Sequence, residues 1–373
     1  AQGLFHVESR GAIAIKGTRR PQAIFAVSEQ VAAEKRRFSQ PNPTQLVGRT
    51  AELAQLLNLL SAAQSGRGAL ARIEAEPGLG KSRLLDAFAQ AAQSEPIFLT
   101  VATCQITTRD TAYAATRQIG RQLLGLDRPE LEDDDTRIAQ VEALLQQINP
   151  ALLPRMPLLS EALRLPIPDN ELTRGLDPKS RHEALLALTL EIVQQLAQLQ
   201  PIVILAEDIH WLDEASAELL ATLIRAGTTT SLLIVATHRP PTSQTAALLT
   251  KIDELPNQTL IRLSELVDAE LITLAVARLR APLDDLALDF LQAQAQGNPF
   301  FIEELLDSLP ESGDLVLDEE NEAPAQWRLA APFVAQLQAA DCLKPVGDGW
   351  RLKSQTSLSA AAIGLPDSIH GIV

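Results

Sequence analysis

Cysteine is scarce in this sequence. Only Cys104 and Cys342 occur among 373 residues, and they lie too far apart to form the short spacings of cysteine-ligated metal sites. The five histidines show no metal-type spacing either. We therefore expect two buried or partly buried thiols rather than a metal centre built on cysteine or histidine.

Long apolar runs are also missing. No stretch approaches the roughly 18 residues that a membrane-spanning helix needs, and the first residues lack the basic, apolar and cleavage regions of a signal peptide. Hydrophobic residues still make up 46% of the chain, which is enough to build sizeable cores. At roughly 100–200 residues a domain, we expect two or three units in the cytoplasm, with no membrane partner.

Positive charge is the third shortage. The chain carries 32 Lys and Arg against 47 Asp and Glu, which gives a formal net charge of −15. A protein that coats nucleic acid by charge needs the opposite balance, because it must neutralise phosphates. The composition therefore disfavours nucleic acid as a partner, while a local basic patch stays open.

Short apolar strands alternate with amphipathic helices through the middle of the chain. We predict buried strands over 69–74, 97–102, 201–206 and 231–237, with helices between them. Residues 149–178 are rich in Pro and Leu and are predicted to be irregular. The alternation predicts an α/β fold, a parallel sheet flanked by helices on both faces.

The pattern changes after the two prolines at 240–241. Helical periodicity dominates 268–309, and short β-like pieces appear from residue 315 onward. Two Trp-Arg-Leu tripeptides, at 327–329 and 350–352, each follow a polar turn. They fit two wing-like hairpins, or chance.

The strongest motif spans Ala75 to Ser82 and directly follows a predicted buried strand. It matches the P-loop pattern except that alanine replaces the first glycine. Gly78 and Gly80 allow the backbone to wrap a phosphate, and its N–H groups form an anion site with the start of the next helix. Lys81 is predicted to reach the β- and γ-phosphates, and the Ser82 hydroxyl to ligate magnesium. The predicted cofactors are ATP and Mg²⁺, with GTP left open, and the predicted contacts in this segment are Glu76, Pro77, Gly78, Leu79, Gly80, Lys81, Ser82 and Arg83.

Two carboxylates, Glu207 and Asp208, end the apolar run that begins at residue 201. Ligands of open α/β sheets bind beyond the carboxyl ends of the strands. One carboxylate is therefore predicted to hold magnesium with Ser82, and the other to orient or deprotonate the attacking water. The sequence leaves open which carboxylate takes which role, and a solvated pair that starts a helix is the alternative.

Three further polar residues follow buried strands. Arg239 would sense or stabilise charge on the γ-phosphate, and the alternative is a surface arginine in a loop. Asp213 is placed to cap the helix that follows it. For His210, which comes just after the acidic pair, a structural role is favoured over a catalytic one.

Five segments resemble, in the same order, motifs of the AAA+ and STAND ATPases, in particular the origin-recognition-like AAA domains of large bacterial signalling proteins. These segments are Leu46–Leu53, Ala75–Ser82, Leu205–Asp213, Thr237–Pro240 and Gly297–Leu305. The resemblance implies that Val47, Gly48 and Arg49 pack near the adenine and that Pro299 approaches the nucleotide from a lid. The alanine at position 75 is a mild departure from the family pattern.

The N-terminal residues resemble another family. Residues 11–17 and 21–27 are similar to the final hairpin of a class III nucleotidyl cyclase domain. The resemblance implies a bacterial protein in which a cyclase precedes this ATPase and helical repeats often follow. The metal-binding aspartates of a cyclase are absent here, so we expect no cyclase activity in this chain, although a full-length adenylate/guanylate cyclase would be its parent. The missing initial methionine and the end of the chain inside a helix predicted from residue 366 suggest a fragment.

These observations predict five regions. They are a C-terminal cyclase remnant (1–28), a linker (29–44), a P-loop ATPase core (45–243), a helical lid (244–310) and a winged-helix-like, truncated segment (311–373).

The predicted function is a signalling ATPase of the STAND type, which binds ATP between core and lid and hydrolyses it slowly. The resulting change in lid placement would act on the attached cyclase or on downstream repeats, and a nucleotide-dependent oligomer is open. Two alternatives remain: a DNA-associated AAA+ initiator or transcription regulator, and a non-hydrolysing nucleotide-binding scaffold.

Overall fold

The computed structural model describes residues 5–13, 22–30, 46–243, 245–318, 325–346 and 349–353. The chain divides into two units, residues 1–43 and 44–373. In the first unit, strands β1 (Phe5–Ile13) and β2 (Gln22–Gln30) pair antiparallel, with two shifts of register. The prediction of an N-terminal β-hairpin is therefore confirmed.

The second unit contains a five-stranded parallel sheet. Its strands are β3 (Ala69–Glu74), β4 (Phe98–Thr103), β5 (Ile202–Glu207), β6 (Leu232–His238) and β7 (Gln258–Arg262). Their order across the sheet is β4-β5-β6-β3-β7, and every neighbouring pair is parallel. Strands β5 and β6 are buried along their whole length, as expected when helices cover both faces. The predicted parallel α/β sheet is confirmed.

Helices connect and cover these strands. They are α1 (Thr50–Gln64), α2 (Lys81–Ala92), α3 (Ala114–Leu123), α4 (Asp134–Ile148), α5 (Leu159–Leu163), α6 (Pro178–Leu199) and α7 (Glu214–Ala226). No helix in the described part of the chain combines the length and apolarity needed to cross a membrane.

The segment predicted to be irregular is in part helical. Residues Pro150–Leu158 form a 3₁₀ helix, and α5 follows directly. Asn149 caps this segment by accepting a hydrogen bond from the Ala151 N–H at 3.0 Å. Prolines 154 and 157 lie inside it, and because proline lacks an N–H, a regular α-helical ladder cannot form there. The expectation of irregular structure is therefore wrong for these residues.

Strand β7 was not predicted. It pairs only with β3, at one edge of the sheet, and of its five residues only Ile261 is buried. Such an edge strand needs no long apolar run, so it lacks the signal that marks the buried strands.

Helix α8 (Ala246–Asp253) lies between β6 and β7. Helices and short hairpins follow the sheet, and these elements are α9 (Asp268–Leu279), α10 (Asp285–Ala295), α11 (Pro299–Ser312), β8 (Leu315–Asp318), β9 (Gln326–Leu329), α12 (Ala331–Ala339), β10 (Leu343–Val346) and β11 (Gly349–Leu352). The two Trp-Arg-Leu tripeptides form the second strands of the antiparallel hairpins β8–β9 and β10–β11. This agrees with the interpretation of the tripeptides as hairpin strands.

One hydrophobic cluster joins these last elements. It runs from Leu266 to Leu343 and contains residues of the predicted lid as well as of the hairpins and α12. At its centre the rings of Phe290 and Phe333 pack edge to face, with centroids 5.3 Å apart. The helices of the lid and the segment after residue 311 therefore share one core.

Candidate nucleotide site

The P-loop, residues 75–82, lies between the end of β3 and the first turn of α2. Gly78 and Gly80 have φ values of 83° and 89°, a left-handed conformation that glycine adopts without a Cβ clash. Apart from its chain neighbours, no atom of the described residues lies within 4 Å of a Cβ built on Gly80, so the space beside this glycine is open. The start of α2 also leaves its first N–H groups without helical partners. The loop therefore fits a phosphate group.

Lys81 is folded back onto the loop. Its Nζ donates hydrogen bonds to the carbonyl oxygens of Ala75 at 2.7 Å and Glu76 at 3.0 Å. Burial lowers the pKa of Lys81, an effect that the negative charge of Asp208 opposes and the positive charge of Arg239 increases. A phosphate would compete with the loop carbonyls for this ammonium group, since it offers a full negative charge.

The two carboxylates lie where β5 ends. Glu207 is buried and Asp208 is half-buried. Asp208 has a φ of 55°, which an aspartate tolerates better than most residues, and its N–H donates to the Thr237 Oγ1 at 2.9 Å. At this turn the chain leaves the sheet. Asp208 lies near enough to Lys81 for its negative charge to raise the pKa of the lysine.

The side chains near the carboxyl ends of β3 and β5 that could bind a metal ion are oxygen donors. Ser82, at the second position of α2, is exposed, and with Glu207 and Asp208 it offers the hard oxygen ligands that magnesium prefers. Within the described residues, no group of three or more His, Cys, Asp or Glu side chains could hold a metal ion. The donor set therefore fits magnesium that arrives with nucleotide phosphates, which complete its coordination.

Arg239 and two histidines complete this polar region. Arg239 is exposed after β6, and its positive charge acts on both Lys81 and His210. Burial lowers the pKa of His210 to about 4. The imidazole of His210 is therefore neutral at pH 7. Burial is also the main cause of the lowered pKa of His238. His238 Nδ1 lies 2.8 Å from the carbonyl oxygen of Arg239.

A cleft beside the P-loop brings together several of the residues predicted to contact the nucleotide. Its lining includes Leu46, Val47, Arg49, Leu79, Gly80, Arg83, Leu266, Leu274, Pro299 and Glu303. The cleft is therefore lined by residues from three places: the start of the second unit, the P-loop with α2, and the segment from Leu266 to Glu303. Gly48 does not line it: this glycine has a φ of 70°, and a Cβ there would lie 2.6 Å from the Glu270 carboxyl carbon.

Arg49 has a structural part in this arrangement. Its side chain is buried, and its Nη2 donates to the carbonyl oxygens of Ser264 at 2.5 Å and Leu79 at 3.4 Å. Its Nη1 lies 3.5 Å from the Glu52 carboxylate. The arginine thus links the P-loop to the chain that leaves β7.

The profile of the AAA ATPase domain family matches residues 45–235. This match covers just over half of the chain and includes the P-loop and both carboxylates. The chain belongs to the AAA ATPase domain family. It is accordingly a nucleotide-binding ATPase module with the P-loop AAA+ fold.

Three known proteins show how far this AAA ATPase resembles others. An uncharacterized protein of Rhizobium meliloti (strain 1021) is 25% identical over 306 residues, which cover 79% of this chain and 28% of that protein. A STAND protein with a tetratricopeptide repeat sensor from Pyrococcus horikoshii matches with 17% identity and a TM-score of 0.41, over 73% of this chain and 31% of that one. The Aeropyrum pernix ORC1 protein in complex with DNA matches with 15% identity and a TM-score of 0.43, over 83% and 70%. This chain spans less than a third of the first two proteins, so their activities as whole proteins are not transferred to it.

The AAA ATPase site also contains residues that sequence reasoning missed. Asn298 donates from Nδ2 to the carbonyl oxygen of Pro77 at 3.2 Å, and the Phe300 N–H donates to that of Gly78 at 3.3 Å. Arg83 pairs with Glu303 of α11. An asparagine before a proline at the first helical position is typical of a helix N-cap, and Asn298 does accept from the Phe300 N–H at 3.0 Å. That local signal predicts the cap, but not its contact with the P-loop.

Proposed function

We propose that this AAA ATPase is a signalling switch that binds ATP with magnesium between its sheet and the helical lid and hydrolyses it slowly. The observation that carries the proposal is the direct contact of Asn298 and Phe300 of the lid with the P-loop, next to which Glu303 pairs with Arg83 of α2. A ligand shifts a conformational equilibrium only when it interacts differently with the two states. A nucleotide on the P-loop would interact differently with the two lid positions, because it would lie beside the Pro77 and Gly78 carbonyl groups to which the lid is hydrogen-bonded.

The residues predicted to act on the phosphates and on magnesium have these proposed parts. Lys81 moves from the loop carbonyls to the β- and γ-phosphates, while Ser82 and one of the two carboxylates hold the magnesium ion. The other carboxylate of the Glu207–Asp208 pair orients the attacking water, and Arg239 stabilises charge on the γ-phosphate. Magnesium, when bound with the nucleotide, neutralises charge on the phosphates. Slow turnover is expected because product release requires the contacts between lid and P-loop to break.

The output of the switch is proposed to reach regions outside the core. The hairpin β1–β2 agrees with the proposed cyclase remnant over 1–28, followed by the linker (29–44), core (45–243), lid (244–310) and winged-helix-like segment (311–373). In a longer parent protein, the lid would transmit the nucleotide state to an attached cyclase or to downstream repeats. Cyclase activity of that parent should then change in a Lys81→Ala variant, and equal activity would contradict this output.

ATP binding is tested by fluorescence titration with a labelled ATP analogue. Lys81→Ala should lose at least about tenfold in affinity, or about 1.4 kcal/mol, because its ammonium group no longer meets the phosphates. Lys179→Ala is the matched control, since Lys179 is exposed on α6 and pairs with Glu183 at 3.8 Å. Equal affinity of Lys81→Ala and Lys179→Ala would refute the P-loop assignment.

Hydrolysis is tested separately by phosphate release. The wild-type chain should release phosphate faster than Lys81→Ala, and Glu207→Gln or Asp208→Asn should reduce the rate by roughly a hundredfold, a typical effect of losing a general base. The variant that loses turnover while keeping ATP affinity identifies the carboxylate that orients water. Phosphate release by wild type no faster than by Lys81→Ala would instead favour the non-hydrolysing scaffold.

A further inference from the structure

His210 is a buried ring with unused hydrogen-bonding groups. It lies in the 3₁₀ turn Ile209–Trp211, and its side chain is only 3% exposed. Its ring packs against that of Trp211, with centroids 4.9 Å apart. Neither Nδ1 nor Nε2 has a hydrogen-bond partner among the described residues. Buried polar groups are seldom left unpaired in native proteins, so this ring needs an explanation.

The ring faces the carboxylate that follows β5. Its Nδ1 lies 3.9 Å from the Asp208 Oδ1, whereas an N–H···O hydrogen bond spans roughly 2.7–3.2 Å. The charges of Asp208, Arg239 and Lys81 all act on the ring, so it borders the region predicted to hold the phosphates. A small movement of one side chain would bring the two groups together.

Asp208 is the side chain that is free to make this movement. Its carboxyl group is 42% exposed, whereas the His210 ring is enclosed. Its backbone is fixed, because the φ of 55° and the hydrogen bond from its N–H to Thr237 Oγ1 hold the turn. Rotation of the carboxylate about its side-chain bonds can therefore close the gap without moving the chain.

We propose that His210 is a positioning residue: its Nδ1–H donates to the Asp208 carboxylate when nucleotide is bound and fixes the orientation in which that carboxylate acts. The inference rests on the proposed function, because it requires Asp208 to work on a bound nucleotide. It replaces the purely structural role expected for His210. A histidine that only filled the core would be replaceable by a ring of similar size without nitrogen atoms.

Three substitutions separate these roles. His210→Phe keeps a ring without hydrogen-bonding groups, His210→Asn keeps a donor near the position of Nδ1, and His210→Gln places its donor near that of Nε2. All three should bind the labelled ATP analogue within about twofold of wild type. The turnover number should fall at least tenfold in the Phe and Gln variants and recover toward wild type in the Asn variant. Turnover by His210→Phe equal to wild type, measured on folded protein, would overturn the proposal.

A second readout uses the wild-type chain and does not depend on activity. The imidazole ¹⁵N resonances are recorded with and without Mg²⁺ and a non-hydrolysable ATP analogue, and the His210 signals are those that vanish in His210→Asn. The Nδ1 resonance should shift on addition of the analogue in wild type and remain unshifted in Asp208→Asn, whose amide accepts less strongly. An unshifted resonance in wild type that has bound the analogue would also overturn the proposal. Failure of the proposed function would look different, since wild type would then either not bind the analogue or release phosphate from ATP no faster than Lys81→Ala.

Discussion

The buried carboxylate of Asp213 connects two helices that are far apart in sequence. It accepts hydrogen bonds from the backbone N–H groups of Ser216 at 2.9 Å, Tyr113 at 2.9 Å and Ala114 at 3.1 Å. The first caps α7, as the sequence predicts. The other two hold the start of α3, about 100 residues earlier in the chain. Asp213→Ala should therefore destabilise the protein by more than the loss of one helix cap.

The expected magnitude follows from these three bonds. Loss of a helix N-cap costs roughly 0.5–2 kcal/mol. The N–H group of Tyr113, left unpaired in a buried site, adds roughly 1–3 kcal/mol, whereas that of Ala114 keeps its bond to the Thr111 carbonyl oxygen at 3.2 Å. Because water can enter the space left by the carboxylate, we expect a total of about 2–4 kcal/mol. Asp213→Asn should lose less, since its single oxygen can still accept from Tyr113 and Ser216 while its amide faces the Ala114 N–H.

Urea unfolding and hydrogen exchange test this reasoning together. The unfolding midpoint should fall strongly in Asp213→Ala, and the amide proton of Tyr113 should exchange faster than in wild type. Asp133→Ala is the matched control, because Asp133 caps α4 at an exposed position by accepting from the Thr136 N–H at 2.7 Å. Its midpoint should fall much less. If both variants unfold at the same urea concentration, the carboxylate of Asp213 does not connect the two helices energetically.

Other predictions concern the P-loop glycines and the thiols. Gly78→Ala and Gly80→Ala should each strain the loop by about 1–2 kcal/mol through their positive φ. A Cβ on Gly78 would also lie 2.6 Å from the Asn298 Oδ1, so only Gly78→Ala should increase cleavage of the lid by a protease, and equal cleavage of both variants would contradict this contact. Burial raises the pKa of Cys104 to about 12 and also raises that of Cys342. Iodoacetamide at pH 8 should therefore label neither thiol in the folded chain and both in urea, and labelling of the folded chain would refute the burial.

The sequence predicts those parts of the fold that are encoded locally. Strands β5 and β6 are uninterrupted apolar runs, so their burial on both faces is visible in the residues themselves. The P-loop is a contiguous motif, and its left-handed turns require the glycines at 78 and 80. Asp213 as a helix cap also follows from its position before α7.

Contacts between distant segments have no such local signal. The position before α7 identifies Asp213 as a cap, but nothing nearby indicates that it also binds the start of α3. In the same way, Asn298 is recognisable as the cap of α11, while its bond to Pro77 depends on how the lid packs. Strand β7 escapes prediction because an edge strand needs little apolar sequence. What the sequence leaves out is therefore long-range geometry rather than residue chemistry.

That geometry decides how the P-loop is held. Each carbonyl group from residue 75 to residue 79 accepts a hydrogen bond, the donors being Lys81 for Ala75 and Glu76, Asn298 for Pro77, the Phe300 N–H for Gly78 and Arg49 for Leu79. In a trans peptide the C=O and N–H bonds point in opposite directions, so donors that fix the carbonyl groups also fix the directions of the N–H groups of the loop. Backbone carbonyl groups need hydrogen-bond partners. Here the partners of the P-loop carbonyls come from α2 (Lys81), from the lid (Asn298 and Phe300) and from Arg49, the residue before α1. The lid is therefore one of the elements that shape the P-loop. A change in its position would alter the affinity for nucleotide even without any contact between the lid and the ligand.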